Sequence, residues 1–151
     1  MKVVHGDLLA LAVAGQFDVI IHGCNCQCTM GAGIAKAVRA AFPEAWEADC
    51  ATGKDDRNKL GTFSSATVER DGHDITVVNG YTQFHWRGSG RLADYDAIRS
   101  VMAAVKQAFR GKRIGYPRIG AGLAGGDWDT IAAIISEELA GEDHTLVEFA
   151  P

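Results

Sequence analysis

Short β-branched runs alternate along this chain with stretches whose apolar residues recur at helical spacing. Val19-Ile20-Ile21 is apolar on both faces, the pattern of a strand buried inside a sheet. Ile34, Val38, Ala41 and Phe42 follow at helical spacing and predict a helix that begins at Gly33. The strongest helical pattern runs over 94–109 through Ile98, Val101, Met102, Val105 and Phe109. A further helix is predicted by Trp128, Ile131, Ile135 and Leu139. Lys2–His5, Ile114–Tyr116 and His144–Phe149 read as strands, and Phe63–Val68 and Ile75–Val78 as a hairpin turning at Asp71-Gly72. Gly6-Asp7-Leu8-Leu9 leads into a short helix ending near Gly15, and Pro43 opens another helical turn. Residues 50–61 read as a polar surface loop, and Asn79–Arg91, with its aromatics and arginines, as a loop that can close over a ligand. Strands alternating with helices, plus one hairpin, predict an α/β fold: a three-layer α/β/α sandwich with a mixed, mostly parallel sheet.

The 151 residues suit a single domain spanning 1–151, and 47% hydrophobic with 23% charged residues is ordinary globular usage. A net charge of −4 argues against an extended nucleic-acid surface but leaves room for a small nucleotide held by backbone amides. No apolar run is long enough to span a membrane, and the first residues carry no signal-peptide pattern. A cytoplasmic monomer without a membrane partner is the expectation. Of the four cysteines, three form Cys24-x-Cys26-x-Cys28 and Cys50 stands apart. A disulfide framework is not expected without secretion, and a zinc site needs four tetrahedral ligands. These cysteines read as small residues filling a tight loop, so no metal and no cofactor are expected.

Candidate chemistry lies in two glycine-rich loops. The first ends in Gly31-Ala32-Gly33 and the second is Pro117-Arg-Ile-Gly-Ala-Gly-Leu-Ala-Gly-Gly126; each follows a strand and precedes a helix. In that arrangement free N–H groups and the helix dipole favour phosphate. Ligands in such sheets sit beyond the carboxyl ends of the strands, so two loops on one edge can grip a diphosphate from both sides. Asp7 admits two readings, a helix N-cap or an acceptor for an adenine amino group.

Gly6-Asp7-Leu8, His22-Gly-Cys-Asn25, Met30-Gly-Ala-Gly-Ile-Ala35 and Pro117-Arg-Ile-Gly-Ala-Gly-Leu123, in this order and with Phe149 at the end, resemble the macrodomain family of ADP-ribose-binding modules. The likeness is strongest to the branch of ADP-ribose 1''-phosphate phosphatases and terminal ADP-ribose glycohydrolases. It implies ADP-ribose, or an ADP-ribosylated substrate, as the partner. Asp7 and the Leu8 backbone would take the adenine, and Phe149 would stack on it. Gly31, Ala32, Gly33 and Ile34 would wrap the diphosphate from one side. Ile119, Gly120, Ala121, Gly122 and Leu123 would do so from the other, and Asn25 would meet the distal ribose. Two departures stand out. One hydrolase group of this branch carries a Lys on the strand before the mobile loop and an Asp just after Gly-x-Gly-Leu; here those places read Val78-Asn-Gly-Tyr81 and Ala124. That tilts the expectation toward phosphatase chemistry.

Hydrolysis at the distal ribose needs a group to orient or deprotonate water. His22, Asn25 and Asp127 are the catalytic candidates, with His85 on the mobile loop as a further one. His22 also reads as a core residue and Asp127 as an N-cap. Three function classes stay open: a metal-independent hydrolase of ADP-ribose derivatives, a non-catalytic reader of ADP-ribose, and a thiol or metal protein built on Cys24, Cys26 and Cys28.

Overall fold

The structure is a computed structural model that describes residues 1–150. Six strands form one sheet: β1 (Lys2–Gly6), β2 (Val19–Cys24), β3 (Phe63–Arg70), β4 (His73–Tyr81), β5 (Arg113–Tyr116) and β6 (Asp143–Phe149). Their order across the sheet is β1-β6-β5-β2-β4-β3, and every neighbouring pair is parallel except the β3–β4 hairpin. The helices are α1 (Leu8–Val13), α2 (Gly33–Ala41), α3 (Pro43–Cys50), α4 (Tyr95–Ala108) and α5 (Trp128–Glu138). This is the expected three-layer sandwich.

Alternation along the central strands explains the layers. Val19 and Ile21 of β2 face the side covered by Ile98, Val101 and Met102 of α4 and Ile131 and Ile135 of α5. Ile20 and Cys24 face the side covered by Leu8 and Ala12 of α1, Val38 of α2 and Ala45 of α3. Both faces of the strand are buried, which is why its sequence is apolar without alternation. At Gly115 a Cβ would lie 2.8 Å from the Phe17 ring, so the ring lies flat on β5 only because that residue has no side chain.

Two strands run further than the pattern predicts. β2 continues through His22-Gly23-Cys24 and β4 through Asn79-Gly80-Tyr81, because the two tips pair with each other, His22 opposite Asn79 and Cys24 opposite Tyr81. The segment 50–61 is not wholly a solvated loop either. A 3-10 turn at Arg57–Lys59 tucks Lys59 under the sheet tip, where it is buried beside Asp49.

β5 and β2 are adjacent and parallel, yet the helices that follow them pack on opposite faces, α5 on one and α2 on the other. The loops leaving the two strands therefore diverge and open a crevice at the carboxyl edge of the sheet.

Candidate functional site

The first glycine loop begins where β2 ends. Asn25 folds it: its Oδ1 accepts from the Gln27 N–H at 2.8 Å and its Nδ2 donates to Thr29 Oγ1 at 2.8 Å. Cys26 N–H donates to the Phe84 carbonyl, and the Cys26 carbonyl accepts from the Asp55 N–H, both at 2.9 Å. Cys28 and Met30 take positive φ values of 55° and 39°, an uncommon conformation for residues with a side chain. The chain then enters α2 at Gly33, whose φ of +57° suits glycine.

Helix capping separates α2 from the other helices. Asp7, Asp94 and Asp127 cap α1, α4 and α5, each accepting an N–H of the first turn. α3 has no side-chain cap but opens with Pro43. α2 has neither device: Ala32 stands at its N-cap, so the N–H groups of its first turn point unpartnered into the crevice.

The second loop, Pro117–Gly126, closes on itself. Gly126 N–H donates to the Gly120 carbonyl at 2.7 Å, and a Cβ on Gly126 would lie 2.6 Å from that same oxygen. Gly120 and Gly125 have φ near +74° and +72°. The N–H groups of Gly122 and Leu123 make no hydrogen bond among the described residues.

Two cavities meet between these loops. The larger, about 640 Å³, is walled by Gly23 to Asn25 and Thr29 to Ala35 on one side and by Pro117 to Gly120 and Gly122 to Ala124 on the other. The smaller, about 390 Å³, lies between Asp7, Leu8 and Phe149. Gly33, Ile34 and Pro117 line both, so the two form one elongated trough with α2 at its waist. Phe149, 75% exposed at the end of β6, leaves its ring free to lie on a ligand. Asp7 does its capping through Oδ1, which accepts from the Ala10 N–H at 3.0 Å, while the residue also lines the smaller cavity.

The structure brings together Asp7, Leu8, Asn25, Gly31, Ala32, Gly33, Ile34, Ile119, Gly120, Gly122, Leu123 and Phe149 around the trough. Ala121 instead turns toward the α4–α5 core. Of the three catalytic candidates, Asn25 lines the trough, whereas His22 and Asp127 do not. His22 is buried beneath the strand tips, with its Nε2 2.7 Å from Asn79 Oδ1, and burial pushes its pKa down to about 4. It is a neutral imidazole holding two strands together. Asp127 Oδ2 accepts from both the N–H and the hydroxyl of Thr130, and the Thr130 bonds hold its carboxyl below its usual pKa. His85 lies off the trough, its Nδ1 accepting from the Arg87 N–H.

Four further wall residues are not named individually by the sequence reading: Thr82, Gln83 and Trp86 belong to the 79–91 stretch expected to close over a ligand, and Asp49 stands near the end of α3. Nothing local distinguishes these polar residues from solvated ones. Trp86, the one exposed tryptophan-sized ring in an aromatic and Arg-rich loop, carried the only usable signal.

A family model described as Macro domain matches residues 21–135. The chain is 35% identical to an uncharacterized 17.5 kDa protein of the tk-vs intergenic region of Enterobacteria phage T4, over 100% of this chain and 97% of that one. It is 29% identical to the ADP-ribose glycohydrolase OARD1 of Bos taurus, over 93% of this chain and 84% of that protein. The structure of Thermosipho africanus DarTG in complex with ADP-ribose superimposes with a TM-score of 0.70 at 17% identity, over 100% of this chain and 42% of the other. With its two glycine loops set on one sheet edge and a family model matched across most of its length, the chain belongs to the Macro domain family.

Proposed function

We propose that this protein binds ADP-ribose along the trough and hydrolyses a substituent from its distal ribose. One observation carries the binding: α2 presents an uncapped N-terminus at the waist of an elongated, two-lobed cavity, opposite the free N–H groups of Gly122 and Leu123. Two sets of amides facing across a gap suit a diphosphate, and lobes at both ends suit a nucleoside and a sugar. The exposed Phe149 ring and Asp7 on the wall of the smaller lobe support seating the adenine there, with the distal ribose in the larger lobe beside Asn25.

Hydrolysis is supported by the glycohydrolase named among the relatives and by a larger lobe that holds polar groups at its inner end. The amides can stabilise charge without a metal. Asn25 fits a positioning role, because both ends of its amide are spent shaping the loop. Calorimetric titration with ADP-ribose, with AMP and NAD as controls, tests the binding. Micromolar affinity well above that for AMP is expected, and no binding would sink the reading. Release of phosphate from ADP-ribose 1''-phosphate, or of ADP-ribose from mono-ADP-ribosylated protein, tests the hydrolysis. Binding without either release would make the protein a reader.

A further inference from the structure

With His22 and Asp127 off the wall of the trough, a group that deprotonates water for hydrolysis has to be sought among the residues that do line it. Among the described residues on the wall of the larger cavity, three titrate: Cys24, Asp49 and Arg118. Arg118 is paired with Glu148 through bonds of 2.6 to 3.0 Å and has no lone pair to offer. Burial pushes the Cys24 thiol well above its usual range, so it stays protonated. Asp49 remains.

Asp49 is 1% exposed at the end of α3, and its surroundings treat its two oxygens differently. Oδ1 accepts from the Tyr81 hydroxyl at 2.7 Å and lies 3.9 Å from Lys59 Nζ. Oδ2 is buried with no hydrogen-bond partner among the described residues. A carboxylate oxygen left so is costly unless something else meets it. The donors behind Oδ1 form a directed chain. Asn79 Nδ2 donates to Ser64 Oγ at 3.1 Å, Ser64 meets Tyr81 Oη at 2.7 Å, and Tyr81 donates onward to Asp49. Since Tyr81 gives its proton to Asp49, Ser64 must give its own to Tyr81. His22 donates into the same chain at Asn79 Oδ1. Three strand tips and a helix end thus fix one carboxylate by one of its oxygens.

We infer that Asp49 Oδ2 is the proton acceptor for hydrolysis at C1'' of the distal ribose, a role that rests on the proposed hydrolase activity. Once a water reaches it from the cavity, Oδ2, closed to solvent in this structure, takes one proton from that water as the water oxygen bonds to C1''. The bond from C1'' to the substituent breaks, and its electron pair leaves with the substituent. The proton on Asp49 then passes to the departing group, which leaves protonated, and the carboxylate is restored. Tyr81 is a positioning residue that holds the carboxylate by Oδ1.

Asp49→Asn keeps the size and the acceptor for Tyr81 but replaces the basic oxygen. It is expected to lower kcat at least about 100-fold on mono-ADP-ribosylated protein and on ADP-ribose 1''-phosphate. Its affinity for ADP-ribose should stay within about threefold, which also reports that the fold is intact. Tyr81→Phe removes a donor to the carboxylate, so the acidic limb of its kcat/KM profile should move to higher pH, a shift that a merely structural tyrosine would not produce. Wild-type protein turned over in H₂¹⁸O is expected to leave the released phosphate or protein carboxylate unlabelled, because the attack is at carbon. Turnover by Asp49→Asn within about threefold of wild type, or label in the released group, would overturn the inference while leaving the hydrolase reading standing. Wild-type protein that binds ADP-ribose and releases nothing from either substrate would overturn both.

Discussion

Gly33 sits at the waist of the trough, and replacing it separates backbone strain from obstruction of the ligand path. Its φ of +57° costs a residue with a side chain about 1–2 kcal/mol, the penalty of the left-handed region. For a chain of this size each kcal/mol lowers Tm by about 2–4 °C. Space itself is no obstacle, since the nearest atom to an added Cβ is Leu123 Cδ1 at 4.0 Å, across the gap. Gly33→Ala and Gly33→Glu should therefore lose similar stability. They should differ in binding. A glutamate carboxylate about 4 Å from one phosphate charge, at an effective dielectric near 20, opposes binding by about 4 kcal/mol, or roughly a thousandfold. Calorimetry with ADP-ribose on both variants, beside their thermal unfolding, reads the two effects separately. The reasoning fails if Gly33→Glu binds ADP-ribose as tightly as Gly33→Ala does.

Three further outcomes follow from the same structure. Burial holds His22 at about 4, below the 6.5 of an exposed imidazole, so the unfolded chain takes up a proton first as pH falls. Stability from this group is complete above pH 6.5 and should decline toward pH 4 by about 1.4 kcal/mol per unit, a slope that urea denaturation of His22→Gln should lack. Phe149→Ala should weaken ADP-ribose and AMP alike, by about 1 kcal/mol or more, with unfolding unchanged because the ring is largely exposed; a loss confined to ADP-ribose would remove the adenine from that lobe. Gly115→Ala drives a methyl against the Phe17 ring at 2.8 Å and should cost about 1–3 kcal/mol in chemical denaturation, whereas a neutral result would mean that the ring moves freely.

The glycine loops were legible because backbone geometry leaves its mark on residue choice. A helix start at φ +57°, or a position such as Gly126 where a Cβ would lie 2.6 Å from the Gly120 carbonyl oxygen, admits little but glycine, and so writes itself into the chain locally. The buried strands were legible for a similar reason: Val19-Ile20-Ile21 is covered on both faces. The polar cluster at the strand tips was not. His22 looks reactive until Asn79, 57 positions away, is placed beside it. Asp49 lies between a predicted helical turn at Pro43 and the polar loop 50–61 that holds Lys59, and only tertiary packing turns the two into a buried pair beside Tyr81. Hydrophobic periodicity reports which side chains leave water; it carries nothing about which polar groups find each other once inside.

The smaller lobe of the trough is built from the two extremes of the described chain. Gly6 and Phe149 stand side by side in the sheet, and the Ala150 N–H donates to the Gly6 carbonyl at 3.0 Å. A guest seated there touches both β1 and β6, so it would act as a clasp between strands far apart in the sequence. Filling that lobe should slow amide exchange most in β1 and β6, at the edge of the sheet where opening is otherwise easiest. On the proposed binding mode, the nucleoside end of the ligand would serve as a fastener for the fold.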